Sequence, residues 1–372
     1  MSTIKSIFGK YASELQVFVD TNIDAFKEPF FPKYFDMGTP QMSLNYLSII
    51  GKSRLEAAAS VVAHGSEAPL RSRAGLEKLS GEVSSIKVKR RMDEEQYRNW
   101  MTIEAMSTSD EAKKRQIMNL IWDDVSYVSN SVLSRIDIMA GQALSQGVIK
   151  INSTTNPDGV VPGEIDLLVD KKKDGYESGD TSASFGWSNS DDNFWSIASA
   201  ASNAPIADIE SLKDNAWENH GITLETILMT PNKWRAVRKS TEVKGYFDSK
   251  EPTLDEMNSL LSSLDCPTIE IVRIKPKIET NGTLSSIDAW EDDKYVTFLP
   301  AGSAGIIHNS LSVEQISPVP NVDYATLNNI LISKWSQTEP FGEYTRGEIA
   351  AFPGLEVADQ MYIINTESRT GF

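Results

Sequence analysis

The sequence predicts an α+β fold assembled along one long helix. Three observations carry this expectation. Residues 110–147 hold an uninterrupted helical pattern of roughly ten turns. Residues 205–330 alternate short helices with short apolar strands. The chain then closes on a strand rich in Ile and Tyr that has no local partner.

The long helix is justified by its spacing. Ile117, Ile121, Val125, Val128, Val132, Ile136, Met139 and Ala143 recur by fours with an occasional three, the period of one helix face. Ser109 or Asp110 can cap the start, Asp110 and Glu111 place acid in the first turn, and Gly147 offers a left-handed residue to end it. Only Gly141 interrupts it, at a cost of about 1 kcal/mol against alanine, which points to close packing there. Such a helix is ~57 Å long. A coiled coil is the rival reading. The spacing is nearer 3.6 than 3.5, and Ser126, Ser129, Ser131 and Ser134 stand where flanking charges belong. A spine on one side of a sheet fits better.

Residues 1–45 form an arm. SELQVFVDTNIDAF is a short helix with Leu15, Phe18, Val19, Ile23 and Phe26 on one side and Ser13 as its cap. EPFFPKYFD then clusters Phe30, Phe31, Tyr34 and Phe35 in a stretch held extended by Pro29 and Pro32. That cluster is too apolar to leave in water; its own domain and a neighbouring subunit are both open as coverings.

From residue 46 the chain turns polar and glycine-punctuated. Arg54, Arg71, Arg73, Lys78, Lys87, Lys89, Arg90 and Arg91 make this the one locally basic region. APLRSRAG, near Gly65, Pro69 and Gly75, is the expected tip of a long extended excursion, an uncommon feature inside a compact domain. Ile86 and Val88 alternate with Lys87 and Lys89, the mark of a half-buried strand. Without interleaved aromatics the region is a poor single-stranded nucleic-acid site, and a reach onto an acidic neighbour suits it better.

Beyond the spine, GVIKIN predicts a strand and TTNPDGVVPG a turn, before a Gly-, Ser- and Asp-rich loop. PIADIESLKDNAWENHG is a helix capped by Asp208 and stopped by Gly221. TLETILMT is a strand, and PNKWRAVRKS is a helix with Pro231 in its first turn. LDEMNSLLSSL is a further helix, TIEIVRI and KYVTFLP are buried-type strands, and AGIIH follows. The last strand must return to earlier sequence, and the sheet beside the spine is its expected place.

Composition narrows the function. The 372 residues carry 36 Lys and Arg against 52 Asp and Glu, a net charge of −16. A protein that holds DNA by neutralising phosphates leans the other way. Acidity of this size mostly serves solubility; its sharper meaning is a surface that lies beside nucleic acid without sticking. No apolar run is long enough to span a membrane, the N-terminus lacks a signal peptide's apolar core, and the single Cys266 excludes an internal disulfide framework.

Candidate chemistry is sparse. His64, His220 and His308 are scattered with no second ligand at metal spacing, so structural histidines, no metal and no cofactor are expected. The turn from Pro300 to Gly305 lacks the Lys-Ser/Thr of a phosphate loop and leads into a strand, so a tight hairpin is favoured. Asp123 and Asp124 are adjacent on a helix and point apart, while Asp191–Asp192 and Asp292–Asp293 fall in expected loops. No catalytic residues are assigned and no enzyme is expected. The rival from another class is a carboxylate-dependent hydrolase that brings the loops at Asp191 and Asp292 together.

The order of parts, with particular residues, resembles the major capsid proteins of tailed bacteriophages, above all the lambda major head protein family. The residues are Ala68 to Gly75 (APLRSRAG) before a basic strand and Ala143 to Gly147 (ALSQG) at the end of the spine. Trp187 stands before Pro205 and Asp208-Ile209, and Met229-Thr230-Pro231-Asn232 precedes Trp234. Trp335 precedes Pro340, and Ala351-Phe352-Pro353-Gly354-Leu355 precedes the last strand. The resemblance covers most of the chain; the 151–200 loop matches only loosely.

It implies the Hong Kong 97-like fold in four parts. These are an N-terminal arm (1–45), an extended loop (46–90), a peripheral domain (91–150 with 331–372) and an axial domain (151–330). It implies homo-hexamers and pentamers of an icosahedral head around double-stranded DNA, in a virion assembled in the host cytoplasm. A portal, decoration proteins and a separate scaffolding protein are the implied partners, since the chain begins with the arm. Lys78, Lys87 and Asn365 stand in roughly suitable segments for the Lys–Asn cross-links of some relatives, without a residue-by-residue match. On this reading Arg71, Arg73 and Lys78 make charged contacts across subunits, and Phe30, Phe31, Tyr34 and Phe35 bury against a neighbour. An encapsulin-like compartment with enzyme cargo is the alternative on the same fold.

Overall fold

The computed structural model describes residues 29–50, 77–105, 110–159, 163–167, 195–196, 200–201, 203–280, 282–287, 289–290, 295–339, 341–358 and 360–366. The expected arm helix at 13–26, the tip at 68–75 with Arg71 and Arg73, His64 and the loops holding Asp191 and Asp292 lie outside them.

A first helix, α1 (Glu94–Ala105), leads into the spine, α2 (Asp110–Gln146). Val125, Val128, Val132, Ile136, Met139 and Ala143 are all buried, as their spacing predicts. Gly147, at φ 66°, ends the helix with its N–H donating to the Ala143 carbonyl at 2.9 Å. From Ile136 to Gln146 every residue is buried, so this end of the helix has no solvent face. A Cβ at Gly141 would sit 3.0 Å from Ile274 Cδ1 and 3.1 Å from the Ala289 carbonyl oxygen, which is the close packing the sequence implied. The spine lies along the chain's own strands.

The first half of the chain holds β1 (Phe35–Met37), β2 (Asn45–Ile50), β3 (Glu77–Glu82), β4 (Ser85–Met92), β5 (Val148–Ile151) and β6 (Gly163–Asp166). The second begins with α3 (Pro205–His220), β7 (Leu224–Met229), α4 (Pro231–Val237), α5 (Thr241–Tyr246) and α6 (Leu254–Ser263). Then come β8 (Thr268–Ile271), β9 (Lys277–Thr280), β10 (Thr283–Ser286), β11 (Tyr295–Pro300) and β12 (Gly305–Ser310). The chain ends with α7 (Val313–Ile316), β13 (Asp323–Leu327), β14 (Ile330–Thr338), β15 (Phe341–Leu355) and β16 (Tyr362–Asn365).

Fifteen-residue β15 organises a six-stranded sheet. One edge takes β14, from Leu331↔Glu348 to Thr338↔Phe341. The other takes β4 along 343–350 and β12 along 350–355, with β13 and β1 at the ends. The spine packs on this sheet, sharing a core of Val125, Val132, Ile136, Ile332, Ile349 and Phe352. β2 and β3 form a separate two-stranded ladder from Asn45↔Glu82 to Ile50↔Glu77, the base of the expected excursion.

The four-stranded sheet, in the order β16-β11-β7-β8, is apolar on both faces. Leu228, Leu299 and Ile363 join the spine's core, while Ile227, Met229, Val296, Phe298 and Ile364 join a second core with α3 and α6. Double coverage explains why these strands read as continuous apolar runs.

Five expectations are corrected. The last strand, β16, pairs with β11 in the four-stranded sheet, which also meets the spine through Ile363, and so leaves the expected 331–372 grouping. Its consecutive apolar residues need a sheet covered on both faces. Residues 300–305 make no hairpin, because β11 and β12 belong to different sheets and the turn carries the chain between them. A boundary at 330 would cut the β13–β14 hairpin. Asp208 does not cap α3: Pro205 starts that helix, and the Glu242 carboxylate accepts the Ile206 and Ala207 N–H groups at 2.8 and 3.1 Å. Phe31–Lys33 is a 3₁₀ turn, with Pro32 fitting its first turn, in place of an extended run.

Candidate functional site

The residues singled out for subunit contact fall in two places, the root of the arm and the basic excursion. At the arm root the spine supplies the anchor. Asp137, buried on α2, accepts the Phe30 N–H at 2.8 Å and the Phe31 N–H at 3.0 Å. The Glu270 carboxylate on β8 receives both the Tyr34 hydroxyl and the Lys33 ammonium. Burial, and then the hydrogen bond and charge of Glu270, push the Tyr34 phenol above its ordinary pKa. Beyond this point β1 adds in parallel to β12, Phe35 opposite Gly305.

This corrects the expectation that the aromatic set covers itself with a neighbour. Phe31, Tyr34 and Phe35 are 3, 6 and 2% exposed within their own subunit, and half-buried Phe30 lies 4.9 Å from the Tyr34 ring. The spine's apolar surface was already beside them, and Asp137 fixes their backbone to it. Sequence reading passed over Asp137. Its signal was a single carboxylate inside Ile136-Asp137-Ile138-Met139-Ala140, where a buried charge requires donors.

The described part of the basic region is engaged inside the subunit. Lys87 Nζ lies 2.8 Å from Glu348, and Lys89 sits 4.9 Å above the Tyr344 ring. Arg90 meets Asp123 at 2.8 Å and Asp124 at 3.4 Å, and Arg91 donates to the Phe341 carbonyl at 2.7 Å. Burial raises the Asp124 pKa, opposed by Lys334 and Arg90. Sequence reading also missed the buried pair Lys334–Glu343, 3.8 Å apart and 1 and 2% exposed, beneath the spine. Lys78 lies on β3, but its side chain falls outside the described residues, as do Arg71 and Arg73.

The hydrolase reading gains no support from the described carboxylates. Burial pushes Asp208 up to about 6, yet its oxygen holds the Trp195 indole N–H at 2.8 Å, and Glu242 is occupied as the α3 cap. His308 is half-buried on β12, and burial lowers its pKa, in keeping with a packed histidine. Among the described residues no three metal-ligating side chains converge, and no helix is long and apolar enough to cross a membrane.

No protein-family model matches the chain, and no curated protein matches it by sequence. Solved structures do. The putative capsid protein of an Escherichia coli CFT073 prophage aligns over 95% of this chain and 98% of its own, with TM-score 0.53 and 16% identity. A phage-related protein of Bordetella bronchiseptica RB50 aligns over 94% and 96%, with TM-score 0.48 and 12% identity. The capsid of Myoviridae phage XM1 aligns over 91% and 94%, with TM-score 0.45 and 10% identity. The spine, the long-stranded sheet beside it and the double-faced four-stranded sheet together make the Hong Kong 97-like fold of phage capsid proteins.

Proposed function

We propose that the chain is a major capsid protein that self-assembles into the hexamers and pentamers of an icosahedral phage head. The observation that carries this reading is the end-to-end fit of its fold to a capsid chain, 95% of one on 98% of the other. The β2–β3 ladder supports it, being a two-stranded projection joined to neither main sheet. A net charge of −16 suits a shell that encloses double-stranded DNA without gripping it. Many copies of one contact, tolerating five- and six-fold settings, build such a shell. A scaffolding protein, a portal and a decoration protein are its proposed partners, and the virion its place after assembly in the host cytoplasm. The proposed division keeps the arm (1–45), ends the extended loop before β4, which belongs to the six-stranded sheet, and assigns the last strand to the axial sheet.

The test is co-expression with the scaffold, read by sedimentation and negative-stain microscopy. Closed shells are expected; a protein that stays monomeric with its scaffold ends the reading. Shells filled with enzyme instead of DNA would move it to a compartment protein. Arg71→Glu with Arg73→Glu should block shell formation while the subunit stays folded; normal shells from that variant remove those two residues from the contact.

A further inference from the structure

We infer that the uncharged end of the six-stranded sheet is a contact surface for a second copy of the chain; this rests on the self-assembly proposed above. Residues 37–50, 295–313, 315–322 and 324–333 contain no Asp, Glu, Lys or Arg, in a chain that is 24% charged. The two acids between them are Glu314, ion-paired with Arg346, and half-buried Asp323.

The fold brings these segments together. The Gln41 N–H donates to the Asn309 carbonyl at 3.0 Å, the Leu311 N–H to the Gln41 carbonyl at 2.8 Å, and Ser310 Oγ to the Ser43 carbonyl at 2.6 Å. On them stand Met42, Leu44, Val313, Ile316 and Val319, 74, 49, 77, 50 and 48% exposed. Large apolar side chains gathered in this way mark an interaction surface. Beside them is a pocket of about 290 Å³ whose lining includes Pro40, Asn309, Leu311, Gln315, Asn328 and Asn329. Asn309 is only 3% exposed and donates to the Gly38 carbonyl, yet its Oδ1 meets no donor among the described residues. A buried acceptor at a pocket wall is open to a donor from water or from a second copy.

Charge selects the occupant. A polyanion needs unpaired cations, and the described segments of this surface carry no Lys or Arg. Two copies at −16 repel each other elsewhere, so they meet at least cost where neither carries charge. The place also fits: β2 begins at Asn45, one residue past Leu44, so the surface borders the root of the β2–β3 ladder.

The experiment puts charge on the exposed positions. Val313→Glu with Ile316→Glu should keep the parental circular dichroism and melting temperature but lose particles about tenfold or more, the effect of at least 1.4 kcal/mol per contact. Leu284→Glu, at an equally exposed apolar position outside the surface, should assemble like the parent. If the parent itself forms no shells, the broader reading fails; if the parent and the double variant both assemble in full, only the present inference fails. A second measurement follows Val313→Cys with maleimide, the native Cys266 being buried. Protection in shells and reaction in dissociated subunits are expected. Equal reaction in both states, or protection only after another protein is added, overturns the assignment to a second copy.

Discussion

Strand β4 and the uncharged end of the same sheet invert the usual guess about where a protein binds. β4 carries Lys87, Lys89, Arg90 and Arg91, yet each meets an acid, a ring or a carbonyl of its own subunit. The uncharged end has, among its described segments, only Glu314 and half-buried Asp323 as ions, and it leaves five large apolar side chains in water. Charge on this sheet holds the subunit together, and its absence marks the side left for a partner. The physical reason is that an exposed ion is well solvated and gains little from a partner, whereas exposed apolar area gains by being covered.

The largest effect should come where charge is most deeply internal. Lys334→Met should destabilise the subunit by about 3–5 kcal/mol in urea unfolding, because it removes the cation beside the buried Glu343 carboxylate. Adding Glu343→Leu should recover most of the loss; no recovery would mean that the pair is not the cause. Asp137→Ala should cost about 1–3 kcal/mol by leaving the Phe30 and Phe31 N–H groups without their acceptor, and should raise proteolysis of the arm root.

Asp208→Asn should stabilise, by about 1–3 kcal/mol at pH 8. The folded state lifts this acid from 3.8 to about 6, so it favours the neutral form; the contribution is whole below pH 3.8 and lost as pH rises through 6. The gain should therefore vanish by pH 3.5 in thermal melts at stepped pH. Lys87→Ala should have the smallest effect, below about 1 kcal/mol, since Lys87 is 51% exposed. A larger loss would show that β4 depends on its ions more than its geometry implies.

The elements were legible wherever a period could be counted. The spine's spacing, Gly147, the strand of Ile86 and Val88 and the helices beginning at Pro205 and Pro231 stand as expected, since each follows from residues within a few positions of one another. Pairing was not legible. β16 gave no sign in its own residues that β11 would take it, and the turn at 300–305 has the composition of a hairpin while joining two sheets. At the arm root, Phe31, Tyr34 and Phe35 announced that they would be covered, but not by what. Asp137 and Glu270, which anchor them, lie more than a hundred residues away.

The sequence by itself determined the spine, the helices at Pro205 and Pro231, several of the strands and the acidic balance, because those depend on local spacing and side-chain chemistry. Only the tertiary structure decided that the arm root closes on its own spine, that the basic strand is internally matched and that segments near 40, 310 and 330 form one uncharged surface. Those facts depend on which distant residues become neighbours, and no local period encodes that.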